Sequence, residues 1–184
     1  MDKILKLIKQ EEKRQKETLM MIPSENYTYP EVRAAVGSYL MHKYSEGYPG
    51  RRYYQGNEIV DQIENIAISE AKKLFEVPHA NVQPYSGSPA NSAVYFALLV
   101  PGDTIMGLNL ASGGHLTHGH PRITFPGRYF NSIQYGVSEN GFIDFENLKN
   151  LAIGHRPKLI IAGLTAYPRK LEWKRFAEIA DSVG

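Results

Sequence analysis

The sequence has no cysteine, which excludes disulfide staples and thiolate metal sites and fits a reducing compartment, with the cytoplasm as the expected location. It has almost no net charge: 21 Lys and Arg against 19 Asp and Glu leave +2, too near balance to point to a nucleic-acid or membrane-surface partner. It also lacks a long apolar run. The most apolar stretch, residues 93–100, is closed by Pro101 and falls far short of the roughly 20 residues that cross a bilayer. Residues 1–19 interleave lysine and glutamate with apolar residues where a secretory signal would be continuous. There is one tryptophan, no internal repeat and no low-complexity tract. What is left, at 42% hydrophobic and 22% charged over 184 residues, is a globular chain whose length by itself suits one domain with a sizeable core.

Periodicity predicts an amphipathic helix over residues 3–18, with Ile4, Leu5 and Ile8 on one side, that packs on something outside itself. Pro30 suits a first helical turn, and a short helix should run to about Leu40. Asn57 is a good N-cap for a long helix through Ile59, Val60, Ile63, Ile66, Ala67, Leu74 and Phe75, ending before Pro78. Beyond it, short apolar runs at 80–83, 104–108, 132–135 and 159–162 alternate with helical stretches at 89–99, 145–153 and 174–183. That alternation predicts an α/β fold with a parallel sheet.

The twelve tyrosines are unevenly placed: Tyr27, Tyr29, Tyr39, Tyr44, Tyr48, Tyr53 and Tyr54 crowd one region. Its glycines and proline forbid regular structure, and its phenols suit a binding surface or subunit contact, or a loop that covers the sheet. Three constellations can carry chemistry. In Gln83-Pro-Tyr-Ser-Gly-Ser-Pro-Ala-Asn91, Ser86, Gly87 and Ser88 stand where a strand end enters a helix. Such a turn cradles a phosphate, or Ser88 is simply an N-cap. In Gly113-Gly-His-Leu-Thr-His-Gly119, an imidazole at a strand exit stacks on a planar ligand, shuttles a proton, or plays a structural part. Metal binding by His115, His118 and His120 matches no zinc spacing, so no metal is expected. Third, Glu46 is either an acid/base group whose pKa burial raises, or a solvated carboxylate, or one held ionised by Arg51 and Arg52.

Taken in order, five segments closely resemble the serine hydroxymethyltransferase (glycine hydroxymethyltransferase) family. They are Ile22-Pro-Ser-Glu-Asn-Tyr-Thr28, Lys43-Tyr-Ser-Glu-Gly-Tyr-Pro-Gly-Arg-Arg-Tyr-Tyr54, Asn81-Val-Gln-Pro-Tyr-Ser-Gly-Ser-Pro-Ala-Asn91, Gly113-Gly-His-Leu-Thr-His-Gly119 and Ala166-Tyr-Pro-Arg169. The resemblance implies a pyridoxal-phosphate fold type I (aspartate-aminotransferase-like) large domain, incomplete here, with an N-terminal helical arm. On that basis residues 1–56 are the arm and inter-subunit loop, and 57–184 the first part of the cofactor-binding domain. It implies reversible interconversion of serine and glycine with one-carbon transfer to or from tetrahydrofolate. By the same resemblance Ser86, Gly87 and Ser88 hold the cofactor phosphate, His115 stacks on its ring, and Thr165 bonds near the ring hydroxyl. Ser24, Tyr54 and Glu46 meet the amino acid, Tyr44 completes the pocket, and Glu46 is the acid/base group. Leu110, Gly114, His115, Leu116 and Tyr53 line the folate site, and the tyrosine loop reaches the neighbouring subunit of a homodimer.

The family commonly has histidine at Tyr85, glutamine at Pro89 and histidine at Ser112; the second change removes an amide from the phosphate contacts. The resemblance also places the ring-nitrogen aspartate, the aldimine lysine and the carboxylate-binding arginine beyond Gly184. The isolated chain is therefore expected to be inactive, as an N-terminal portion or one piece of a split enzyme with a complementing C-terminal chain. The alternative is a non-catalytic folate- or phosphate-binding or regulatory remnant.

Overall fold

Three of the apolar runs become the strands of one parallel sheet. They are β3 (Thr104–Leu108), β4 (Asn131–Tyr135) and β5 (Leu159–Ile161), in the order β4-β3-β5. The computed structural model describes residues 2–184. β3 lies in the middle, with Ile105 opposite both Ser132 and Leu159. A central strand covered on both faces must be apolar at successive positions, and Ile105, Met106 and Leu108 are all buried. Met106 and Leu108 join Tyr135, Ile143, Phe145, Leu148, Ala152, Phe176 and Ile179 in one core cluster. Ile105 joins Tyr95, Leu99 and Phe130 in the other. The first cluster is closed by α6 (Phe145–His155) and α7 (Trp173–Val183). The second uses α4 (Gly87–Leu98) and the short α5 (Phe125–Tyr129), with Phe125 stacked at 5.1 Å on Phe96.

By its packing the chain divides into two units, one formed by residues up to Glu25 together with Asn91–Gly184, the other by Asn26–Ala90. In the first unit, α1 (Lys3–Glu17) is capped by the Asp2 carboxylate and carries the ion pairs Arg14–Glu11 and Lys16–Glu12. Its Ile4, Leu5 and Ile8 are each more than half exposed. The second unit holds α2 (Pro30–Val36), the two-residue strands β1 (Gly47–Tyr48) and β2 (Arg51–Arg52), and α3 (Glu58–Phe75).

The structure corrects the sequence reading at four places. Residues 80–83 form no strand: the Asn81 side chain accepts from Gln83 N–H in a local turn, and no neighbouring strand pairs with them. The tyrosine region is not wholly irregular, because Gly47–Tyr48 pairs antiparallel with Arg51–Arg52 around Pro49-Gly50. The helix from Pro30 stops at Val36 rather than Leu40, where Gly37 ends it and Ser38 caps a separate 3-10 turn, Tyr39–His42. Asn57 stands at the N-cap of α3 but its side chain makes no cap hydrogen bond. Among the described residues, no helix is long and apolar enough to cross a membrane.

Candidate functional site

The first unit gathers its candidate residues at the C-terminal ends of β3 and β5, the edge where open α/β sheets receive ligands. After β3 the chain turns through Asn109, whose side chain accepts from Ser112 N–H at 2.7 Å. It then passes Gly113 in a left-handed conformation, φ +96°. The Gly113 carbonyl accepts from Thr165 N–H at 2.8 Å and Ala166 N–H at 3.0 Å, tying the histidine loop to the loop after β5. This brings His115 and Thr165, two of the expected cofactor residues, onto one edge of the sheet. Both are half-buried, Gly114 is buried, and Leu110 is half-exposed.

His115 opens a 3-10 turn, Leu116–His118. Its Nδ1 accepts from Thr117 N–H at 3.1 Å and lies 2.7 Å from the Thr117 hydroxyl, so the neutral tautomer that fits this bond has its proton on Nε2. Thr117 is fixed in turn: Asn91 Nδ2 donates to its hydroxyl at 2.8 Å and the Tyr95 hydroxyl to its carbonyl at 2.6 Å. The reading from sequence missed Thr117, Asn91 and Tyr95; the i, i+4 spacing of Asn91 and Tyr95, which puts them on one face of α4, was the available signal.

His118 is buried, and its Nδ1 accepts from His115 N–H at 3.3 Å. Burial first, and neighbouring His115 second, pull its pKa down to about 4. The unfolded chain takes up this proton near pH 6.5 and the native state does not until near 4, so stability is complete above that window and falls as pH drops through it. Melting temperature should therefore decline from pH 7 to pH 4.5 in wild type, with a slope of about one proton more than in His118→Asn. Equal slopes in the two proteins would contradict this assignment. Among the described residues, no three His, Asp or Glu side chains gather as a metal-ligand set.

In the second unit, Tyr44, Glu46, Tyr53 and Tyr54 share the hairpin built on β1 and β2. The rings of Tyr44 and Tyr54 lie 5.5 Å apart, and Tyr53 N–H donates to the Glu46 carbonyl at 3.1 Å. Glu46 is exposed, not buried as the acid/base reading expected. Nor does Arg52 hold it: that guanidinium pairs with Asp61 at 2.8 Å and Glu64 at 2.6 Å. Gly50 N–H first, then Arg52, hold the Asp61 carboxyl below the usual carboxylate range. Beside this network lies a cleft of about 550 Å³, with Leu40, Val60, Ile63 and Val82 as apolar wall and Glu46 and Gln83 as polar lining. Asp61 and Glu64, three apart on one face of α3, were a legible partner for an arginine that the sequence reading assigned elsewhere.

Ser86, Gly87 and Ser88 lie at the start of α4. The first intrahelical bond runs from Ala90 N–H to the Ser86 carbonyl, so Ser88 sits inside the first turn and is not the N-cap. A helix start turns N–H groups and a partial positive charge outward, and at Gly87 a Cβ would meet nothing within 4 Å. That open, donor-rich turn fits a phosphate group. Ser24 is exposed in the turn closed by Glu25 N–H on the Ile22 carbonyl.

The chain matches the family model described as serine hydroxymethyltransferase over residues 1–184. It is 55% identical, over 181 residues, to a protein of Desulfotalea psychrophila named serine hydroxymethyltransferase. The match takes in 98% of this chain but only 42% of that relative's length. With the whole of the chain matched and its glycine-histidine loop, phosphate-type turn and tyrosine hairpin all formed, the chain belongs to the serine hydroxymethyltransferase family.

Proposed function

We propose that this chain supplies the cofactor-phosphate, ring-stacking and hairpin groups of a serine hydroxymethyltransferase, which interconverts serine and glycine and passes one carbon to or from tetrahydrofolate. The observation that supports this reading is the bond pair from Thr165 and Ala166 to the Gly113 carbonyl, which ties the loop carrying His115 to the loop carrying Thr165 at the ligand edge of the sheet.

In this reading Ser86, Gly87 and Ser88 hold the phosphate of pyridoxal phosphate, His115 lies against its ring, and the Thr165 hydroxyl bonds the ring hydroxyl. When bound, pyridoxal phosphate supplies the electron sink on which the reaction depends. Ser24 and Tyr54 orient the amino acid, with Tyr44 closing the pocket beside Tyr54. The Glu46 carboxyl, exposed at the head of the hairpin, moves a proton at the substrate hydroxyl. Leu110, Gly114, Leu116 and Tyr53 receive the folate, and the hairpin serves the neighbouring subunit of a homodimer.

Titration of the protein with pyridoxal phosphate and then with tetrahydrofolate, followed by absorbance and fluorescence, tests this. Both should bind saturably. Ser86→Asp, which sets a carboxylate against the phosphate, should weaken pyridoxal phosphate at least about tenfold. Glu46→Gln should leave that cofactor's binding unchanged while lowering serine-to-glycine turnover about 10²–10⁴-fold in the assembled enzyme. Absence of saturable binding of both ligands would overturn the proposal.

A further inference from the structure

Asn57 is 3% exposed, yet its side chain does not do what an asparagine at a helix start usually does. An N-cap asparagine normally turns its oxygen onto the N–H groups of the first turn. Here the side chain is turned away from α3. Its Nδ2 donates to the Tyr54 carbonyl at 2.8 Å and to the Tyr44 carbonyl at 3.3 Å. Its Oδ1 is left buried without a partner, the one such side-chain atom among the described residues. Reversing the amide would aim that oxygen at two carbonyl oxygens, so the orientation is set by chemistry. A buried polar oxygen with no partner is a cost to stability. Giving up the cap bond adds to it. What these costs secure is local: two donors on one planar amide bridge the chain at both ends of the tyrosine hairpin, ten residues apart in sequence. The bridged residues are those whose rings meet at 5.5 Å.

We propose that Asn57 is a positioning residue, a clasp that closes the hairpin at Tyr44 and Tyr54 and so holds their phenol pair and the intervening Glu46 and Tyr53 in place. Its bearing on function rests on the reading of that hairpin as substrate-facing; the clasp itself does not. Neither Tyr44 nor Tyr54 is held by burial, with 74% and 49% of their surfaces exposed; β1–β2 pairing and Arg52 hold the middle of the hairpin and Lys43 Nζ also donates to the Tyr44 carbonyl at 3.2 Å, but Asn57 is the side chain that bonds both ends at once.

The test is hydrogen exchange of the full chain, comparing wild type, Asn57→Asp and Asn57→Ser. The aspartate keeps the size but, once ionised, offers only acceptors to two carbonyl oxygens. Exchange over residues 44–54 should rise at least about tenfold at pH 7, while residues 104–108 and 131–135 keep their protection. After correction for intrinsic rates, the excess should shrink as pH falls and the carboxyl regains a proton to donate; wild type should show no such recovery. A merely space-filling role would give no pH dependence peculiar to the aspartate variant. Serine, with one donor, should be intermediate and carries the test if the aspartate variant does not fold. Unchanged exchange over 44–54 in both variants, or an excess in Asn57→Asp that is the same at every pH, would overturn the clasp. Tetrahydrofolate binding separates the two levels. Wild type failing to bind removes the substrate-facing reading and leaves the exchange result standing. Wild-type binding that Asn57→Asp weakens about tenfold at pH 7 ties the clasp to the site.

Discussion

Replacing Arg52 by methionine should open the tyrosine hairpin and lower the melting temperature by on the order of 10 °C. The Arg52 side chain is 5% exposed. Its Nε and Nη2 donate to Asp61 and Glu64 on α3, and its Nη1 donates to the carbonyls of Ser45 at 2.6 Å and Gly47 at 2.9 Å. The network extends further, since Gln83 Nε2 bonds both Glu64 and the Gly47 carbonyl at 2.8 Å, and Asp61 accepts from Gly50 N–H at 2.8 Å. One guanidinium thus joins the strands on either side of Pro49-Gly50 to the first two turns of α3. Methionine keeps the stem's length and volume but strands two carboxylates and two carbonyls, and it is the unpaired partner that makes breaking such a site expensive. Arg52→Lys should fall in between, keeping the charge and losing the fork. The triple variant Arg52→Met/Asp61→Asn/Glu64→Gln should recover part of the loss because no charge is then left without its partner. Hydrogen exchange should rise over residues 44–64 and not over 131–135. A melting point for Arg52→Met within about 2 °C of wild type would show that the network carries no stability.

The elements that periodicity alone delivered are those whose burial is regular. β3, with apolar side chains on both faces, and α3 and α7, with one apolar stripe each, lie within a few residues of their expected bounds. What periodicity could not deliver depends on neighbours distant in sequence. Residues 80–83 have strand-like composition, but a strand needs a partner and Asn81 satisfies Gln83 locally instead. Strands of two residues, such as β1 and β2, are too short for alternation to register. α5 holds Pro126 and Gly127, which read as breakers, though Pro is at home in a first turn. The site divides in the same way. His115 and the Gly113-Gly114 pair were visible as a motif, whereas Thr117, Asn91 and Tyr95 work only because α4 lies against the loop. Asn57 carried an ordinary helix-cap signal, and its actual bonds run to residues 3 and 13 positions earlier.

Gly114→Ala should be among the strongly damaging single-methyl substitutions in the first unit. A Cβ there would collide with the Leu108 and Asn109 carbonyls, both rigid backbone at the end of the central strand. The loop must lift off β3, breaking the bond from Gly114 N–H to the Asn109 carbonyl at 3.0 Å, at an expected cost of about 3 kcal/mol or more. Gly113→Ala adds a different burden: its φ of +96° disfavours any side chain, and its Cβ would lie 2.6 Å from Tyr167 N. That displacement falls on the carbonyl that Thr165 and Ala166 share, so His115 and Thr165 should part company. In the proposed enzyme, pyridoxal phosphate affinity should then drop along with stability. Gly154→Ala is the control. It lies in α6 with nothing within 4 Å of its Cβ, and the same methyl should stabilise the protein by about 0.5–1 kcal/mol. Denaturant midpoints for the three variants decide the matter. If Gly114→Ala unfolds at the wild-type midpoint, the close approach of loop to strand is not what seats His115. If the signs differ as expected, the glycines of this motif are held in place by backbone contact, and the imidazole that follows them is delivered to the sheet edge by that contact.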